Sequence, residues 1–288
     1  NYDSANIIHS NGKFYLLVGT STSNRDHFYI VDAKTLYYEN SAVVGANLSG
    51  LTILNEQYGL VTGDGIRRID LKSLNNVRIK NERLLCFYNS IIYNGKVLSN
   101  DTYKDESKVK YYDVNELIAA KEGEAPAVTE LDIIQKQKIN FVLAKDGNVY
   151  TLESADNGCN IVKIKNDFTL EKVFANFQPA KGPYHSSPTI GMVASETENI
   201  IYLVSTDGAI YKYILGDSDS LKAPFIAAES GVSITAPLQL NQQSGELYVT
   251  YTEELKDESK IVVYSKDGKV LHTVDCGESV PSQILFNN

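Results

Sequence analysis

The sequence predicts an all-β protein, a β-propeller of four-stranded blades, and three observations carry that prediction. One is an internal repeat that runs from end to end of the chain. Another is a series of short alternating segments rich in β-branched and aromatic residues. The last is a set of turn dipeptides at equivalent places in successive repeats.

The repeat is an alternating run that ends in Asp and is followed four residues later by Leu. It reads Phe28-Tyr29-Ile30-Val31-Asp32 with Leu36, Ile66-Arg67-Arg68-Ile69-Asp70 with Leu74, and Val109-Lys110-Tyr111-Tyr112-Asp113 with Leu117. Weaker copies are Ile161-Val162-Lys163-Ile164 with Asn166 and Leu170, and Ile210-Tyr211-Lys212-Tyr213-Ile214 with Asp217 and Leu221. A sixth, Ile261-Val262-Val263-Tyr264, keeps the strand but loses the Asp. From Asp32 to Ser265 the five intervals average about 47 residues, the length of a propeller blade.

Each element then has its own warrant. First, innermost strands are expected at 5–10, 50–55, 89–94, 139–144, 189–194 and 235–241. Asn11-Gly12, Asn94-Gly95, Asp146-Gly147 and Ser244-Gly245 close first strands onto second strands, because such pairs tolerate the positive φ of tight hairpins. Asp64-Gly65 and Asp207-Gly208 join second to third strands, and Asp267-Gly268 joins third to fourth. A single helical turn is expected at 114–120, in the third repeat. The tail Val280-Pro281-Ser282-Gln283-Ile284-Leu285-Phe286 reads as one more innermost strand with nothing after it. Six complete repeats plus this lone closing strand fit two rings: six blades with an added strand, or a seven-bladed parent whose missing strands lie upstream of Asn1. The second is favoured. One domain over residues 1–288 is expected; a β-sandwich or two small barrels would not explain a repeat that runs the whole length.

Composition limits the function. With 43% hydrophobic and 22% charged residues, the 288-residue chain falls outside the disordered and collagen-like classes. A chain of this length buries enough surface to fold without disulfides or a structural metal. A net charge of −9 opposes attachment to nucleic acid or anionic lipid. No apolar run reaches the roughly 20 residues of a membrane span. Cys86, Cys159 and Cys276 form no CxxC and read as buried free thiols, with one disulfide and an odd thiol as the alternative.

Tyr29-Ile30-Val31-Asp32 with Leu36, the Asn-Gly and Asp-Gly turns and the final segment 277–286 resemble the YncE-like, YVTN-type bacterial surface propellers. The resemblance is strongest to the Bacteroidetes-type lipoproteins associated with outer-membrane transport. The YVTN tetrapeptide itself is missing, and Tyr248-Val249-Thr250-Tyr251 comes nearest to it. The resemblance implies an extracytoplasmic protein, at the cell surface or in the periplasm, lipid-anchored through a segment not present in this chain. It implies capture of a small-molecule nutrient and presentation to an outer-membrane transporter, with a monomer expected.

Catalysis has little support in the motifs. Metal-dependent propeller enzymes hold their ion with carboxylates and histidines that converge from several blades. The proposed innermost strands contain no Asp or Glu, and their polar residues are chiefly Asn6, Asn55, Asn89, Asn140 and Asn241. No metal and no cofactor are therefore expected. His9, His27 and His272 read as structural or surface residues, whereas His185 lies in the long, proline-stiffened connection 178–188. No motif supports a Ser-His-Asp arrangement. Connections that enter first strands and those that join second to third strands share one face, and loops on a rigid scaffold carry function. On that face Arg25, Tyr103, Lys181, Tyr184 and His185 are the candidate ligand-binding residues. Solvated hairpin tips and a stiff linker account for the same segments without a ligand. The reading is a non-catalytic binding protein; the alternatives are a propeller lyase or lactonase, and a purely structural interaction module.

Overall fold

Strand ends in this chain are set by turn chemistry. The computed structural model describes residues 2–20, 25–45, 48, 50–63, 65–80, 90–100, 107–124, 126–136, 140–180, 191–253, 258–281, 284 and 286. Six antiparallel sheets follow one another in sequence, the fold is a β-propeller, and a seventh blade is not shown. The chain divides into two compact units, Asn1–Lys136 and Gln137–Asn288.

In the first unit, one sheet comprises Tyr2–Ser10, Lys13–Thr20, Asp26–Asp32 and Tyr38–Gly45. The second comprises Gly50–Ile53, Tyr58–Gly63, Gly65–Asp70 and Asn76–Lys80. The third comprises Ile91–Tyr93, Lys96–Asn100, Ser107–Asp113 and Val128–Gln135. Asn11 and Gly12 adopt φ of 51° and 69°, and Asn94 and Gly95 adopt 51° and 72°, so both expected hairpins form with two-residue turns. Side chains alternate across each strand, so the second sheet offers one apolar face to the first sheet and the other to the third. Tyr15, Leu17, Phe28 and Ile30 meet Leu51, Val61, Ile69 and Leu71 between the first two sheets. Leu60, Ile66 and Ile79 meet Val97, Tyr112 and Leu117 between the second and third. Each such side chain contributes on the order of 1.5–3 kcal/mol by leaving water.

The Asp-to-Leu repeat is a turn motif. Asp32 Oδ1 accepts bonds from the Lys34 and Thr35 backbone N–H groups at 3.0 and 2.7 Å, and Asp70 Oδ1 accepts from Lys72 and Ser73 at 3.1 and 2.7 Å. The following Leu36 and Leu74 take φ of 59° and return their N–H groups to the Asp carbonyls. In the third sheet the same carboxylate instead caps a helix: Asp113 Oδ1 accepts from Asn115 and Glu116, and the helix Val114–Ala119 buries Leu117.

The second unit holds the fourth sheet, Val142–Leu143, Val149–Ala155, Gly158–Ile164 and Leu170–Phe177. Among the described residues the fifth has Met192–Ala194, Ile200–Val204 and Ile210–Ile214. The sixth has Val232–Ile234, Gln239–Leu240, Leu247–Glu253, Ser259–Tyr264 and Val270–Gly277. Inner strands of neighbouring sheets are tied by side chains: the Asn140 carboxamide donates to the Met192 carbonyl at 2.6 Å and accepts from its N–H at 3.0 Å. Ile201, Leu203 and Tyr213 fill the core against the fourth sheet, and Tyr202, Val204 and Ile210 fill it against the sixth.

The expected plan of four-stranded blades is met, with local departures in two of the six units among the described residues. The fifth sheet replaces its outermost strand by the 3-10 turn Ser218–Leu221, capped by Asp217, and a single bridge from Ile226 to Ile210. In the sixth, the inner strand expected at 235–241 breaks around Pro237, which has no N–H to give, and leaves pieces at Val232–Ile234 and Gln239–Leu240. The first inner strand begins at Tyr2 and so includes Asp3, an acidic residue that the expected boundaries left out. Asn55 and Asn241 are turn residues, accepting from the N–H groups of Gln57 and Tyr58 and of Gln243 and Ser244. The described part of the tail forms no strand. Phe286 instead sits against Tyr248 with ring centroids 5.0 Å apart, and Thr250 donates to the Pro281 carbonyl at 3.4 Å.

Candidate functional site

A recess in the first unit lies at the end of the core between its first and second sheets. It is a cleft of about 410 Å³. Turn positions build it. Asn11 comes from the first hairpin, Glu39 and Asn40 from the start of the fourth strand, and Glu56, Leu71 and Lys72 from the matching turns of the second sheet. These turns occupy one end of each sheet, opposite the end that carries the second-to-third connections. Ile30 and Leu71 supply the apolar part of the lining, and both belong to the core cluster.

Two polar groups define the chemistry of the cleft. Lys13 Nζ lies 2.6 Å from Glu39 Oε2, and the bond to Glu39 raises the lysine pKa against the opposing effect of burial. Tyr15 is 3% exposed, and burial raises its pKa, with Lys13 lowering it and Glu39 raising it to smaller extents. Among the described residues its hydroxyl has no hydrogen-bond partner, although it lines the cleft. The ring is buried but the hydroxyl opens on the cleft, where water or a ligand can bond to it. Such a group is satisfied by whatever fills the recess.

A second, shallower depression of about 430 Å³ runs along the turns of the fourth sheet, lined by Asn148, Lys163, Lys165, Asn166 and Asp167. Its cations are already matched, Lys163 with Asp146 at 2.8 Å and Lys165 with Glu171 at 2.9 Å. Tyr150 also donates to Asp146, at 2.9 Å. Burial acts to raise the Asp146 pKa, yet the bonds from Lys163, Tyr150 and Asn148 outweigh it and hold the carboxyl below its usual range. This network is internally satisfied, so the cleft beside Tyr15 is the stronger candidate.

Of the residues singled out from sequence, Arg25 is exposed at the entry to the strand Asp26–Asp32. Tyr103, Lys181, Tyr184 and His185 lie outside the described residues, as does Cys86. Cys159 and Cys276 are free thiols, and burial pushes the Cys159 thiol up to about 11. Among the described residues no group of three His, Cys, Asp or Glu side chains is placed to hold a metal ion, and no helix is long and apolar enough to cross a membrane. His9 packs on Phe14 and His27 stacks on Tyr29, with centroids 5.1 and 5.9 Å apart.

Residues 2–287 match the family described as Domain of unknown function (DUF5074). The chain belongs to this DUF5074 family. No curated protein matches the DUF5074 chain. Solved structures share its fold at low identity. A functionally unknown protein from Desulfotomaculum acetoxidans DSM 771 aligns at 12% identity and a TM-score of 0.58, covering 98% of this chain and 87% of that one. Hsv2 of Kluyveromyces lactis aligns at 12% identity and a TM-score of 0.53, over 95% and 86% of the two chains. A streptogramin B lyase aligns at 14% identity and a TM-score of 0.51, over 93% and 81%. At such identities the likeness of the DUF5074 chain to these proteins is one of fold.

Proposed function

We propose that the chain is a non-catalytic binding protein that captures a small molecule. The observation that carries this reading is a cleft of about 410 Å³ on which the Tyr15 hydroxyl opens without a described partner. That volume falls within the roughly 300–1,000 Å³ of small-molecule sites, and the lining joins an apolar floor to a few convergent polar groups. The extracytoplasmic setting and the outer-membrane transporter as receiving partner are also proposed. Both rest on the resemblance of the repeat to YncE-like surface propellers. The cleft lies away from the long-loop end where binding was expected from sequence, and Arg25 at that end does not line it.

Thermal unfolding of the full chain against a panel of small metabolites tests the reading. One compound class is expected to raise the midpoint in proportion to the logarithm of its concentration, as mass action requires. Release of product from a panel member would replace the binding reading by the enzymatic one. A panel without any stabilising compound would overturn it as well.

A further inference from the structure

We infer that the cleft beside Tyr15 takes a neutral polyhydroxylated ligand, a sugar of one or two rings. The inference rests on the binding reading above and names the ligand class of that same site.

Charge balance is the first argument. Lys13 and Lys72 face Glu39 and Glu56, two cations against two anions, so the lining has no net formal charge to offer an ion. The pairing of Lys13 with Glu39 at 2.6 Å strengthens the point. An anionic ligand drawn to Lys13 would have to take it from Glu39, and a cationic one drawn to Glu39 would have to take it from Lys13. Either exchange gives up one charge-assisted bond for another and leaves a like charge beside the ligand.

Hydrogen-bond type is the second argument. A sugar hydroxyl both donates and accepts, and the cleft supplies carboxylates that only accept, ammonium groups that only donate, and a phenol that does both. Tyr15 matters most among them because its ring is held in the core while its hydroxyl opens on the cleft without a described partner, so a ligand hydroxyl gives it a bond that no described residue gives. The third argument is the floor. Ile30 and Leu71, both nearly buried, bring narrow aliphatic edges to the lining, against which C–H groups of a sugar ring can rest.

The test uses the full chain with ring-labelled tyrosine, the Tyr15 resonance being assigned from Tyr15→Phe. Probes are D-glucose, N-acetyl-D-glucosamine and maltose as neutral sugars, citrate and D-glucose 6-phosphate as anions, and spermidine as a cation. A neutral sugar is expected to shift Tyr15 saturably. Its affinity should be unchanged between about 50 and about 500 mM salt, since no net charge is exchanged. Tyr15→Phe should weaken that sugar about five- to tenfold. The same variant should leave the thermal midpoint of the free chain unaltered, because the lost hydroxyl has no described partner. Shifts by citrate, glucose 6-phosphate or spermidine without any by the neutral sugars would overturn the ligand class and leave the binding reading standing. Silence of Tyr15 towards every probe would overturn the class too, and silence of the metabolite panel in addition would remove the binding reading itself.

Discussion

A single carboxylate recurs as the device that ends a strand. Asp70 gathers the N–H groups of Lys72 and Ser73 and the Ser73 hydroxyl, and the Ser73 N–H bond is the chief reason its pKa lies below the usual carboxylate range. Asp70→Ala removes these bonds at a cost of about 1 kcal/mol, as for a lost helix cap, and the urea midpoint should report it. The sign of the pH effect follows from the depressed value. The unfolded chain binds the proton more readily, so the contribution is present above about pH 4 and fades as pH falls through the native pKa. Stability should therefore drop more steeply between about pH 5 and about pH 3 in the wild-type chain than in Asp70→Asn, which keeps an acceptor but cannot titrate. This turn is legible in sequence because its backbone donors lie within three residues, although Asp70 also accepts from the Gln57 side chain at 3.3 Å. Where the turn changes length the reading slips: Asp167 rather than Asn166 accepts from Thr169, and in the sixth sheet Ser265 Oγ takes over, accepting from Asp267 and Lys269. Tyr15 is the opposite case. It reads as an ordinary strand tyrosine, and the residues around it come from two sheets and four separate turns or strand ends, so no local pattern marks the site.

Elements are held to one another by a small number of long side chains. Arg68 reaches from the third strand of the second sheet to the end of the helix Val114–Ala119, where its Nη1 donates to the carbonyls of Leu117, Ile118 and Ala120, the last at 3.0 Å. Helix ends leave carbonyls unpaired, and a cation placed there both satisfies them and complements the helix dipole. The guanidinium also lies 5.2 Å from the centre of the Tyr58 ring. Arg68→Met should cost about 2 kcal/mol, and amide exchange in the segment that follows the helix should accelerate. The sequence signals the helix through Asp113 and Leu117 but not its clamp, because Arg68 precedes that helix by more than forty residues. The interruption of the sixth inner strand is another matter. Pro237 stood in plain view within 235–241, and a proline inside a strand pattern argues against an unbroken strand.

At the scale of the whole chain, the count of repeats was readable and the count of blades was not. Six units follow from six copies of one motif, whereas the role of the tail depends on which surface its few apolar residues find. Phe286 finds Tyr248, so the chain end braces the sixth sheet. Deleting residues 279–288 removes that ring contact, the bond from Thr250 to Pro281 and the bond from the Ser259 hydroxyl to the Ser279 carbonyl. A loss of about 1–1.5 kcal/mol is expected from the aromatic pair, seen as a lower thermal midpoint, and an unchanged midpoint would show that the tail bears no weight. The fifth sheet has an outcome of its own. It keeps its place with the outermost strand reduced to one bridge at Ile226, and the stretch that follows, residues 227–231, is exposed throughout. Foreign sequence, such as an affinity peptide or a fluorophore acceptor, can therefore be spliced there, giving a handle for immobilising or tracking the protein without cutting into a ladder.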